Sequence, residues 1–144
     1  MEHSRIDPEA GEIGIVIVAH GGLAREYLAA VEHVVGKQSG IVAVGASSEC
    51  DRKVKEDEIC TAANQVDRGR GVIVVTDLFG SSPSNLSKKA CSCDQRKFVY
   101  GANLPMLIKL AKCRRLDLDT AVARALHAGR KYIDVYNDAS SATV

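Results

Sequence analysis

The amino-acid sequence predicts a single α/β domain, built on an open parallel β-sheet with helices on both faces. The first three predicted strands are apolar on both faces and rich in β-branched residues, as in strands inside a covered sheet. Helical patterns separate the strands, and such strand–helix–strand units form parallel sheets with right-handed crossovers. The length of 144 residues suits one domain, and the sequence has no internal repeat.

The first half of the chain alternates strand and helix. Residues 13–19 form an apolar run, whereas residues 23–35 place apolar side chains three and four positions apart, which predicts a strand and then a helix. Gly36 follows as a C-terminal cap. Residues 41–44 predict a short second strand, and residues 51–66 predict a charged helix with a thinner apolar stripe. These elements make up one complete strand–helix–strand unit and a further helix.

The second half continues the alternation. Residues 72–76, "VIVVT", predict a third buried strand, and the polar loop after it leads into a helix capped by Ser82 with Pro83 at its first position. The remaining elements are a strand at 98–100, helices at 106–111 and 117–129, and a last strand at 131–137, where polar and apolar residues alternate. We expect residues 1–12 to be a flexible leader, 13–137 the domain and 138–144 a flexible tail.

The composition excludes several classes of protein. Hydrophobic residues make up 46% of the chain, charged residues 26%, and the formal net charge is +1, whereas a nucleic-acid binder usually has a basic excess. No apolar run approaches the ~20 residues that a membrane-spanning helix needs. The first twelve residues lack the basic start and apolar stretch of a secretory signal. We therefore expect a cytoplasmic protein with no nucleic-acid partner and no direct insertion into a membrane.

The five cysteines do not predict a disulfide framework or a metal site. Their number is odd and their spacing irregular, which favours reduced thiols. Cys91 and Cys93 lack a second Cys/His pair at the spacing of a zinc site, so no metal is predicted.

The candidate site lies where two strands end. With the strand order 2-1-3-4, the sheet reverses direction between strands 1 and 3, and ligands of open α/β sheets bind at such a switch point. His20 ends strand 1 and Asp77 follows strand 3. A carboxylate that accepts a proton from one imidazole nitrogen fixes the tautomer and leaves the other nitrogen as a nucleophile.

The surroundings of His20 and Asp77 suit an anion. Gly21, Gly22 and Gly80 let the backbone approach a ligand closely, and the hydroxyl groups of Ser81 and Ser82 are donors. The helix that begins nearby points free N–H groups at the site. This set suits phosphoryl transfer, in which positioning and charge stabilisation dominate. No lysine-bearing P-loop is present, so nucleotide hydrolysis is not favoured.

The sequence resembles the IIA domain of the mannose/fructose/sorbose class of the bacterial sugar phosphotransferase system. The segments "GIVIVAHGGLA", "VIVVTDLFGSSPSN" and "GANLPMLIKL" carry the resemblance, which extends over about residues 13–136. It implies a flavodoxin-like fold in which His20 accepts a phosphoryl group from the phosphocarrier HPr and passes it to a IIB protein. It implies that Asp77 orients and stabilises His20, and that Ser82 lies near the phosphoryl group.

The resemblance has further implications. No cofactor is expected, because the phosphoryl donor is a protein. Family members are commonly homodimers that exchange a C-terminal strand, which gives residues 131–137 a role at the edge of the sheet. In one respect this chain departs from the family, because Ser81 follows Gly80 where a second glycine is usual.

Three alternatives remain open at this point. The first is a regulatory IIA protein whose phosphorylation state controls a partner kinase or regulator, with no sugar transport. The second is a hydrolase with His20, Asp77 and Ser82 as a triad, although the nucleophile elbow of α/β-hydrolases is absent. The third is flavin binding, which rests on analogy of fold alone and has few aromatic residues to support it.

Overall fold

A computed structural model describes residues 11–47, 49, 51–78, 80, 82–92 and 95–138. The strands are β1 Gly14–His20, β2 Ile41–Ala46, β3 Val72–Thr76 and β4 Arg96–Tyr100. The helices are α1 Leu23–Val35, α2 Arg52–Val66, α3 Ser82–Ser87, α4 Leu104–Lys112 and α5 Leu118–Lys131, with a 3₁₀ turn at Lys89–Cys91. Ser81, Cys50, Cys93 and most of the predicted leader and tail lie outside the described residues.

The four strands form one parallel sheet in the order β2-β1-β3-β4, which confirms the predicted order. Strand β1 pairs with β2 on one side and with β3 on the other. In this register Val18 lies opposite Thr76, and His20 lies opposite Ala46. The carboxyl ends of β1, β2 and β3 therefore meet at one edge of the sheet.

Both faces of the sheet are covered by helices, which explains why β1 up to Ala19 and β3 up to Val75 are apolar on both faces. On one face Ile15, Ile17 and Ala19 of β1 belong to a buried cluster with residues of α1, α4 and α5. On the other face Val16 and Val18 belong to a cluster with residues of α2 and α3. The sheet thus divides the core into two layers. The carboxyl edge of the sheet, where β1 and β3 end, lies between these layers.

The helix ends follow local capping rules. The side chains of Asp51, Asn103 and Asp117 each accept a hydrogen bond from a backbone N–H in the first turn of α2, α4 and α5. Gly36 ends α1 with a φ of 92°, a conformation that favours glycine. The predicted helix after "GANLP" accordingly starts earlier than expected, because Asn103 rather than Pro105 sets its beginning.

A buried arginine holds the start of β1. The Arg114 side chain is only 4% exposed, and its Nε donates to the carbonyl oxygen of Ile13 at 2.7 Å. In return the N–H of Ile13 donates to the carbonyl oxygen of Arg114 at 2.9 Å. Its guanidinium also lies near Gln38 and Glu12, and burial lowers the pKa of Arg114. The turn between α4 and α5 is therefore tied to the first strand.

The segment after α5 has no regular secondary structure over residues 133–137 within this single chain. Its apolar side chains are exposed, Ile133 to 74% and Val135 to 79%. The predicted last strand is not formed inside the described domain, and pairing of this segment with another copy stays a prediction. Among the described helices, none combines the length and the hydropathy needed to cross a membrane.

Candidate functional site

His20 and Asp77 are in direct contact at the carboxyl edge of the sheet. His20 is the last residue of β1, and Asp77 directly follows the neighbouring strand β3. One carboxylate oxygen of Asp77, Oδ2, accepts the backbone N–H of His20 at 3.0 Å and lies 2.8 Å from the ring nitrogen Nδ1. The structure thus brings together the two residues that the sequence predicts as partners, while their chemical roles stay predictions.

This contact determines the tautomer of the ring. An ionised carboxylate only accepts hydrogen bonds, so the proton of a neutral His20 ring lies on Nδ1. The other nitrogen, Nε2, then carries the free lone pair. The His20 side chain is 52% exposed and that of Asp77 only 11%, so the imidazole ring is accessible to solvent while its carboxylate partner is largely buried.

Three polar oxygen atoms near the end of β3 are buried without a hydrogen-bond partner in the described part of the chain. They are Oδ1 of Asp77, Oγ1 of Thr76 and Oγ of Ser84. All the described hydrogen bonds of the Asp77 carboxylate therefore go to His20, through Oδ2. The sequence analysis did not single out Thr76 or Ser84. For Thr76 the available signal was a hydroxyl group at the end of an otherwise apolar strand, whereas Ser84 lies within α3 and carries no such signal.

Tyr27 lies close enough to Asp77 to share its electrostatic environment, and the sequence pattern gave no sign of this. It is one of the apolar side chains at helical spacing in residues 23–35, a pattern that predicts a core position, and it is half-buried on α1. Its hydroxyl donates to the carbonyl oxygen of Ala102 at 3.2 Å. Burial, and then the negative charge of Asp77, raise the pKa of Tyr27, so the phenol and the carboxylate share one electrostatic environment.

Two predicted site glycines adopt left-handed backbone conformations. Gly21 has a φ of +53° and Gly80 a φ of +82°, and a Cβ on either would meet nothing within 4 Å. Space for a ligand is therefore available beside both glycines, while their contact with one stays a prediction. Gly45 at the end of β2 is a glycine that the prediction missed: a Cβ there would lie 2.6 Å from the carbonyl oxygen of Gly21. This close approach sets the path of the turn after His20.

The predicted helix after the β3 loop is present but short. Helix α3 begins at Ser82 itself, with Pro83 as its second residue, and ends at Ser87. This agrees with the predicted start to within one residue, the usual uncertainty of helix ends. Ser82 is half-buried and Gly80 precedes it across Ser81, which lies outside the described residues.

The surface around His20 combines a shallow cavity with exposed apolar side chains. A cavity of about 290 Å³ lies beside the β1–α1 turn, with walls formed by Gly21, Gly22, Arg25, Ala43 and Gly45. At the same edge Leu23, Val54 and Leu78 are 39%, 62% and 58% exposed. Within the described ranges, no three side chains of His, Cys, Asp or Glu form a group that could hold a metal ion.

The fold and the site together define a class: a flavodoxin-like α/β protein with an exposed histidine, held by a carboxylate, at the switch point of its sheet. Comparison with known proteins gives the family. A family model described as "PTS system fructose IIA component" matches residues 14–126. The chain belongs to this family of IIA components of the sugar phosphotransferase system (PTS).

Among curated proteins, the chain is similar to the PTS system mannose-specific EIIAB component of Escherichia coli strain K12. The two are 26% identical over 122 residues, which cover 83% of this chain. The same region covers only 38% of the E. coli protein, so the chain spans about two fifths of the length of that relative.

Solved structures share the fold. The mannose/sorbose-specific IIA subunit from Enterococcus faecalis superposes with a TM-score of 0.78 at 22% identity, covering 88% of this chain and 96% of that subunit. The PTS IIA protein associated with the fucose utilization operon of Streptococcus pneumoniae gives a TM-score of 0.74 at 23% identity, covering 92% and 98%. Both confirm the flavodoxin-like architecture that the sequence predicts.

Proposed function

We propose that this chain is a phosphohistidine relay protein of a sugar PTS. His20 accepts a phosphoryl group from phosphorylated HPr and passes it to a IIB protein, in the cytoplasm. The observation that carries the proposal is the contact of 2.8 Å between Asp77 Oδ2 and His20 Nδ1, because it leaves Nε2 as an exposed nucleophile.

The chemical step follows from this geometry. The lone pair of His20 Nε2 forms a bond to phosphorus, while the bond between phosphorus and the donor histidine of HPr breaks and returns its electron pair to that donor ring. The proton on His20 Nδ1 stays in place, so the ring gains positive charge. Asp77 stabilises this charge through the same hydrogen bond, and transfer to IIB reverses the sequence of events.

The surroundings support an anion at Nε2. A Cβ added at Gly21 or Gly80 would meet no atom within 4 Å, so there is space beside the backbone for a phosphoryl group. We propose that Gly21, Gly80, Ser81 and Ser82 contact this group through backbone N–H and hydroxyl donors. No cofactor or metal takes part in this step, because the donor protein supplies the activated phosphoryl group.

The exposed apolar side chains around His20 support the proposal that other proteins dock here. Leu23, Val54 and Leu78 are exposed at the same edge of the sheet as His20. An open surface of this kind suits docking of another protein, whereas small molecules usually bind in deeper cavities. HPr and a IIB protein would use this surface in turn, since both must reach the same nitrogen.

The resemblance also leads us to propose a homodimer. Strand β4 is an edge of the sheet, and a groove of about 200 Å³ beside it is lined by Phe98, Val99, Tyr100, Val122, Leu126 and Arg130. The exposed apolar side chains of residues 132–136 supply a segment that would cover this edge in a second copy.

The relay is tested by incubating the purified chain with radiolabelled phospho-HPr. The wild type should take up one acid-labile, base-stable phosphoryl group, and His20→Ala should take up none. His33→Ala and His127→Ala are matched controls that keep the label, because both lie on helices away from the site. Label on His20→Ala would refute the assignment.

Onward transfer separates the relay from the regulatory alternative. Both functions predict labelling of His20. Only the relay predicts that adding a IIB protein of the mannose class removes the label from the chain and places it on IIB. Label that no IIB protein accepts, together with a binding partner that distinguishes the phosphorylated from the unphosphorylated chain, would favour regulation.

A further inference from the structure

We infer that Tyr27 is a positioning residue of this site, whose hydroxyl ties the histidine-bearing half of the site to the aspartate-bearing half. The inference rests on the proposed function, because it concerns the geometry of the same His20–Asp77 pair. The described hydrogen bond of the Tyr27 hydroxyl goes to the backbone at Ala102, so we assign its effect on the pair to the backbone.

A closed circuit of contacts carries the inference. The Tyr27 hydroxyl donates to the carbonyl oxygen of Ala102 at 3.2 Å, and the N–H of Ala102 donates to the carbonyl oxygen of Thr76 at 3.1 Å. Thr76 directly precedes Asp77, whose Oδ2 contacts His20. Helix α1, which carries Tyr27, starts three residues after His20, so covalent chain closes the circuit. Such a circuit restricts the displacement of β1 relative to β3.

The Asp77 carboxylate depends on this circuit because it has few contacts of its own. Within the described part of the chain, its hydrogen bonds go to His20 alone, and its buried Oδ1 has no partner. Among the described residues, no donor outside His20 orients the carboxylate. Its position therefore depends on the His20 backbone N–H and on the backbone at Thr76 and Asp77, and the carbonyl of Thr76 accepts the N–H of Ala102.

The Tyr27 hydroxyl is a donor at neutral pH. A phenol is protonated there at its ordinary pKa, and burial and the charge of Asp77 raise the pKa of Tyr27 further, so the hydroxyl can donate to Ala102. A phenylalanine at this position would fill the same space and lose only this donor, which leaves the Ala102 carbonyl without its side-chain partner.

Tyr27→Phe is the variant that tests the inference. Nitrogen NMR shifts of the His20 ring report the share of the Nδ1–H tautomer, and stopped reactions with phospho-HPr report the rate of phosphoryl uptake. We expect a smaller share of the Nδ1–H tautomer and a maximal rate lower by about two- to tenfold, the range expected from one neutral hydrogen bond. The KM for phospho-HPr should stay unchanged, because Tyr27 is not on the docking surface.

Thr61→Val is the matched control, since it removes an exposed hydroxyl group from α2. It should match the wild type in both measurements. A tautomer share and a maximal rate of Tyr27→Phe equal to the wild type would overturn the inference, as would a lower melting temperature with an unchanged tautomer share. Tautomer measurements need no phosphoryl donor. A shifted tautomer in a chain that phospho-HPr never labels would thus uphold the positioning role while refuting the proposed function.

Discussion

A single carboxylate oxygen of Asp77 serves both the backbone and the side chain of His20. Oδ2 lies 3.0 Å from the backbone nitrogen and 2.8 Å from ring nitrogen Nδ1. The backbone contact fixes where the carboxylate lies relative to β1, and the ring contact then fixes the imidazole relative to the carboxylate. The orientation of the His20 ring therefore depends on the register of the two strands β1 and β3.

Replacing Asp77 by asparagine should slow phosphoryl uptake by His20 by roughly 10- to 100-fold, the usual effect of removing a group that orients a functional histidine. Asparagine carries no charge to stabilise the cationic ring, and its amide nitrogen would favour the wrong tautomer. Uptake from radiolabelled phospho-HPr measures the rate. Asp119→Asn is the control, because its side chain is 82% exposed on α5. Uptake by Asp77→Asn at the wild-type rate would contradict the role of the carboxylate.

Two glycines beside the site should differ in their response to an added methyl group. In Gly45→Ala the new Cβ would lie 2.6 Å from the carbonyl oxygen of Gly21, so the turn after His20 must shift and phosphoryl uptake should fall. In Gly22→Ala the nearest atom is the end of the flexible Arg25 side chain at 3.7 Å, so uptake should be nearly normal. Equal rates in both variants would show that the turn does not set the position of His20.

Two adjacent arginines should differ in their contribution to stability. Arg114→Met leaves the buried carbonyl oxygen of Ile13 without the 2.7 Å hydrogen bond and should lower the free energy of unfolding by about 1–3 kcal/mol. Arg115→Met removes a side chain that is 56% exposed and paired with Glu12, which should cost less than about 1 kcal/mol. Urea unfolding followed by circular dichroism measures both. The prediction fails if the Arg115 variant is the less stable of the two.

Charges placed in the C-terminal segment should dissociate the proposed dimer. Ile133→Asp combined with Val135→Asp puts two carboxylates on the segment that would cover β4, where burial of unpaired charge is costly. Light scattering after gel filtration should then give the mass of one chain instead of two. Val34→Asp, at a position 55% exposed on α1, is the control that stays dimeric. A monomeric wild type would rule out the dimer itself.

The sheet and the contact between His20 and Asp77 could be predicted because their signals are local. Strands that are apolar on both faces indicate a covered parallel sheet, and polar residues at two strand ends then fall at one edge. Gly45 and Tyr27 could not be found in this way. Their importance comes from contacts with Gly21 and Ala102, which only the packed structure brings near.

The sequence could not predict which of two neighbouring charged residues is buried either. Arg114 and Arg115 are identical neighbours in the sequence, and they lie in a turn, where no helical or strand period says which side chain points inward. One is 4% exposed and the other 56%. The difference arises from the carbonyl of Ile13, which is distant in the chain and supplies the acceptor for Arg114.

The backbone amide of residue 20 holds Asp77 whatever side chain that residue carries. In His20→Ala the carboxylate should therefore keep its place, with Oδ2 still bound to the amide and facing the space that the ring has left. A free imidazole molecule from solution has the right size and donor for that space. Imidazole bound in that space would replace the His20 ring as the phosphoryl acceptor. Added imidazole should therefore restore consumption of phospho-HPr, with the phosphoryl group transferred to imidazole and the protein itself left unlabelled.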